Sequence, residues 1–102
     1  MAVKRMDHTT LVVRDLDGAV EFFAELGLRV EGRASVSGDT VSRILGVEGV
    51  ASDIAMMITP DGHGRLELTR FLSPDAVEPT PWPTPPHVLG WANVMFEVDD
   101  IR

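Results

Sequence analysis

The sequence predicts an α+β fold: a strand, a helix and three further strands, then a proline-rich stretch and one last strand. Three features carry that expectation. Strand-like alternation at the amino end gives way to a helical period after Asp15, two alternating runs flank a Pro-Asp-Gly-His-Gly turn, and a proline-rich stretch precedes a last alternating run. The division that follows is a strand–helix–strand–strand–strand (βαβββ) unit over residues 1–72, a linker over 73–90, and a further strand over 91–102.

In residues 4–13, Met6, His8, Thr10 and Val12 alternate with Asp7, Thr9, Leu11 and Val13, and β-branched residues are frequent, which predicts a strand. The period changes over residues 15–27. Leu16, Ala19, Val20, Phe23 and Leu26 recur at helical spacing with Glu21 and Glu25 opposite, Asp15 or Asp17 can cap the amino end, and Gly27 suits a left-handed stop. Residues 28–36 alternate Leu28, Val30 and Gly32 against Arg29, Glu31 and Arg33, a strand with one side in solvent, broken by Gly38-Asp39.

Residues 39–46 predict a single helical turn with Val41, Ile44 and Leu45 on one face. Residues 53–59 and 65–71 form a hairpin around the turn at 60–64. On its second strand, alternation sends Arg65, Glu67, Thr69 and Phe71 to one side and Leu66 and Leu68 to the other. Pro74, Pro79, Pro81, Pro83, Pro85 and Pro86 make the following stretch poor in backbone donors, as a semi-rigid linker is. Residues 91–98 resume strand character, and Asp99-Asp100-Ile101 reads as the start of a helix.

A chain of 102 residues is expected to build one core, and any deep cleft must borrow walls from elsewhere. Its net charge of −7, with Lys and Arg scattered singly, argues against nucleic acid and anionic membranes as partners. No apolar run is long enough to span a bilayer and there is no cysteine, so a cytoplasmic protein without thiolate chemistry is expected. Serine-triad, phosphate-loop and dinucleotide fingerprints are absent as well.

The segment from His8 to Leu16 matches Asn93 to Ile101 in register, each an apolar strand running into an aspartate fit to cap a helix. Together with Met6-Asp7-His8, Val12-Val13-Arg14-Asp15-Leu16, Ala19-Val20-Glu21-Phe22-Phe23, Leu26-Gly27-Leu28, Gly64-Arg65-Leu66-Glu67-Leu68 and Phe96-Glu97-Val98-Asp99-Asp100-Ile101, this order resembles the glyoxalase/bleomycin-resistance/dihydroxybiphenyl-dioxygenase fold of the vicinal oxygen chelate superfamily. The resemblance implies two βαβββ modules paired into a cup, so that residues 1–72 are one module and residues 91–102 are the first strand of a second module, truncated after it.

It further implies that His8 on the first strand and Glu67 on the fourth are metal ligands, with Asn93 at the third position where His or Gln is usual. Glu67 would also be the catalytic carboxylate. Imidazole and carboxylate suit Zn, Ni, Fe, Mn or Co, with an open position to polarise a substrate oxygen. The plainer readings are a hydrogen-bonded strand histidine and a solvent-facing glutamate. His63 and His87 are expected in solvent, while Met56, Met57 and Met95 could line an apolar cavity. Three functions follow. A divalent-metal-dependent lyase, isomerase or dioxygenase acting on a small molecule stands slightly ahead, and a metal-free protein that binds a small molecule, as the antibiotic-resistance members do, stands next, favoured by Asn93. In a homodimer, two copies would pool two His8 and two Glu67.

Overall fold

The computed structural model describes residues 1–100. In order, it contains β1 (Thr9–Val12), α1 (Leu16–Glu25), β2 (Arg29–Ser37), α2 (Asp39–Leu45), β3 (Ala51–Ile58) and β4 (Arg65–Ser73). The strands form one sheet in the order β1-β4-β3-β2, with β1 parallel to β4 and the other two pairings antiparallel. The β1–α1–β2 crossover therefore joins opposite edges of the sheet, and the β3–β4 hairpin fills the space between them.

Asp15 caps α1 by accepting the Gly18 N–H at 2.9 Å, which satisfies one orphan donor of the first turn. The helix packs its Leu16, Ala19, Val20 and Phe23 face onto one side of the sheet. There it meets Leu28, Ala55, Met57, Leu66 and Leu68, so the core is one layer between helix and sheet. Leu26, expected on the same face, instead follows the last turn and is half exposed.

The short helix α2 ends at Gly46, whose φ of +72° is the left-handed conformation that glycine adopts without steric cost. Its expected apolar face is not buried: Ile44 and Leu45 are exposed, and only Val41 is partly covered. The hairpin turn is held by Asp61, whose carboxylate accepts from the Thr59 hydroxyl and from the His63 N–H at 3.0 Å. Those bonds, the Thr59 hydroxyl first, hold the Asp61 carboxyl below the ordinary aspartate range.

Two expectations are corrected. The first strand is shorter than residues 4–13, because only Thr9–Val12 finds ladder partners on β4. The stretch 91–98 joins no ladder among the described residues, and extended backbone becomes a strand only where a neighbour pairs with it. It is anchored instead by Phe96, whose ring stands edge-on to Phe23 with centroids 6.3 Å apart. The helix start expected at Asp99-Asp100-Ile101 runs into residues outside those described. Upstream, Arg14 reaches Glu78 at 3.3 Å and ties the linker to the corner between β1 and α1.

Leu68 is fully buried at the centre of the core layer, so Leu68→Ala is expected to cost about 2–5 kcal/mol in denaturant unfolding. Leu89→Ala, at a fully exposed linker position, should change stability by less than about 0.5 kcal/mol.

Candidate functional site

The sheet face away from α1 carries the polar side chains singled out from the sequence. Because Leu66 and Leu68 point into the core, Arg65, Glu67, Thr69 and Phe71 line the opposite face of β4, as alternation predicts. The ladders then fix their neighbours. Glu67 lies opposite Thr10 of β1 and Met56 of β3, while Thr69 lies opposite Val12 and Ile54. Glu67 is thus held on an interior strand, between a hydroxyl and an apolar side chain.

His8 precedes β1 and turns toward the same carboxylate, with Nε2 3.7 Å from Glu67 Oε1. That separation is beyond a hydrogen bond. The other ring nitrogen is engaged: Nδ1 lies 2.7 Å from Asp7 Oδ2, and Asp7 Oδ1 also pairs with Arg5 at 2.8 Å. The hydrogen bond from His8, then the charge of Arg5, holds the Asp7 carboxyl below the ordinary aspartate range. Nδ1 is thus engaged with Asp7, and Nε2 is the ring nitrogen turned toward Glu67.

Glu67 Oε2 accepts from the hydroxyls of Thr10, at 3.1 Å, and Thr69, at 2.9 Å. Oε1 has no such donor among the described residues. Further along the face, Arg65 makes a two-pronged ion pair with Glu31 at 2.9 and 3.1 Å, bridging β4 to β2 across Ile58. Glu31 reaches it from a bulge in β2 between Val30 and Gly32. The Arg65 guanidinium holds the Glu31 carboxyl below its ordinary range, and Glu31 in turn raises Arg65.

Of the three expected metal positions, His8 and Glu67 are brought together. Asn93 is exposed, outside any regular element, and makes no hydrogen bond to the pair. Among the described residues no third His, Cys, Asp or Glu completes a cluster able to hold a metal. The donor set nonetheless fits two positions of a cation. Two ligands at about 2.0–2.2 Å from a tetrahedral ion stand roughly 3.3–3.6 Å apart, so a shift of a few tenths of an ångström would bring Nε2 and Oε1 onto one centre. His63 and His87 are exposed, as expected.

Sequence reasoning missed Asp7 and Thr10. Asp7 adjoins His8, but a neighbour in sequence on a strand ordinarily points to the other face. Thr10 joins Glu67 only through the β1–β4 register, which alternation within a single strand does not encode.

The βαβββ module thus has one face under a helix and carries a His–Glu pair on the other. The model of the Glyoxalase/Bleomycin resistance protein/Dioxygenase superfamily matches residues 5–102, and the chain belongs to that superfamily. A glyoxalase family protein from Bacillus cereus, known from its crystal structure, is similar to it at 45% identity over 98% of this chain, with a TM-score of 0.89. This chain spans 66% of the length of that protein. No curated protein matches.

The lowered Glu31 carboxyl makes a testable statement about the fork. A depressed folded-state pKa means that the pair contributes at neutral pH and is lost as pH falls through the depressed value. In Arg65→Met, the Glu31 side-chain carboxyl should titrate closer to the ordinary glutamate range by NMR. An unchanged midpoint would show that Arg65 does not hold it.

Proposed function

We propose that this chain supplies part of a divalent-cation site in a glyoxalase-superfamily enzyme, a lyase, isomerase or dioxygenase acting on a small molecule. The observation that carries this reading is the approach of His8 Nε2 to Glu67 Oε1, with Nδ1 of the same ring turned to Asp7. A carboxylate on the far ring nitrogen is the recurring support of metal-bound histidine, because it fixes the tautomer and raises ligand basicity.

His8 and Glu67 would hold the ion, and the remaining ligands come from outside this pair, either from further chain or from a second copy of the module. When bound, a cation with an open position supplies Lewis-acid polarisation of a substrate carbonyl or enediolate oxygen. On release from the ion, Glu67 Oε1 would be free to take a proton from a substrate carbon held against the face. Val12, Ile54, Met56 and Phe71 offer that substrate an apolar floor.

Metal-free binding of a small molecule is the second reading, supported by the exposure of Asn93 and the missing third acidic or imidazole ligand among the described residues. The two separate in a calorimetric titration of purified protein with Co2+, Zn2+, Ni2+ and Mn2+. The enzyme reading expects saturable binding that weakens at least about tenfold in His8→Ala and in Glu67→Ala. Thermal stabilisation by small aromatic ligands, with no response to any of the four ions, would favour the binding protein instead.

A further inference from the structure

Glu67 is pinned on one oxygen only. Thr10, from the neighbouring strand, and Thr69, two residues along the same strand and only 5% exposed, both reach Oε2. Two donors match the two lone pairs that a carboxylate oxygen offers in number. Both donors sit on paired strands, Thr10 directly across the ladder from Glu67 and Thr69 two residues along its own strand, so the sheet brings both hydroxyls to the same oxygen. The opposite oxygen carries no hydroxyl and faces His8 Nε2.

A free carboxylate can grip a cation through both oxygens or through one. We propose that Thr10 and Thr69 are positioning residues that commit Glu67 to one-oxygen ligation, reserving Oε2 for the protein and Oε1 for a divalent cation beside His8. This assignment rests on His8 and Glu67 being cation ligands. It goes further, because it makes the chelation mode a property of the β1–β4 pairing. A carboxylate so held cannot swing its second oxygen into the position that a substrate oxygen must occupy.

The plain structural alternative is that the hydroxyls merely satisfy a partly buried carboxylate, in which case their loss would lower stability and leave cation affinity alone. Thr69→Val, Thr10→Val and Thr69→Ser in the full chain separate the two, since valine keeps the shape of threonine and serine keeps its hydroxyl. Titration calorimetry with CoCl2 and ZnCl2 should show Kd raised about 10–100-fold in each valine variant and within about threefold of wild type in Thr69→Ser. The visible bands of bound Co2+ should weaken in the valine variants as the second oxygen joins the ion and coordination expands.

Valine variants that bind within twofold of wild type, or a serine variant as weak as Thr69→Val, would overturn the assignment. If the wild-type chain binds neither ion, the cation reading falls together with it. Binding that is lost in Glu67→Ala but retained in the valine variants sinks the clamp alone. Thermal midpoints taken without metal identify any unfolded variant, and Thr10→Val, at a more exposed position than Thr69, carries the test if Thr69→Val does not fold.

Discussion

The parallel pairing of β1 with β4 is the constraint on which the site depends. Among the described residues Glu67 has three polar neighbours, and two depend on β1: Thr10, directly opposite in the ladder, and His8, just ahead of the strand and two residues earlier along the chain. Side chains alternate with a period of two, so a slip of one residue would turn Thr10 away and put Thr9 or Leu11 opposite Glu67. What prevents the slip lies on the other face. Leu66 and Leu68 are buried against α1, and α1 is tied to the end of β1 by the Asp15 cap and the turn that precedes it. The packing of the helix thus sets the position of a carboxylate it never touches.

The same geometry explains why a small chain keeps a charged face on its sheet. Both edges of the sheet, β1 and β2, are largely exposed, and the ion pair between Glu31 and Arg65 crosses the intervening strand on the face that lacks a helix. Exposed ion pairs contribute little to stability, so the fork is better understood as holding the bulge of β2 in place than as a source of folding energy. On the helix side, the fully buried Met57 and Leu68 carry the packing.

Much of this architecture was legible in the sequence, because it is written in local patterns. The helical period after Asp15, the turn at 60–64 and the alternation of β4 each need only a few neighbouring residues to be recognised, and each is found where expected. The facing of Glu67 followed from Leu66 and Leu68 by the same rule. What local pattern cannot carry is pairing. Alternation gives no register, so Thr10 was invisible as a partner of Glu67, and the bulge that brings Glu31 to Arg65 left no mark. Residues 91–98 show the reverse failure, since their alternation is genuine but finds no ladder among the described residues. Ile44 and Leu45 similarly have a helical spacing without a surface to cover.

Charge on this face bears directly on what it can hold. Asp7 is compensated by Arg5 and by a hydrogen bond from His8, and Glu31 is compensated by Arg65. Glu67 is different, since its hydrogen-bond partners are two neutral hydroxyls and the group nearest its other oxygen is an imidazole that is cationic only when protonated. Its side chain is only 19% exposed, so water screens the charge less than it would at an open position. A carboxylate that is shielded, hydrogen-bonded on one oxygen and left without a fixed cation is poorly suited to stabilising a sheet. That contrast with Asp7 and Glu31 is the ground on which the proposed cation site rests, because imidazole nitrogen and carboxylate oxygen are donor types that can both bond to a metal.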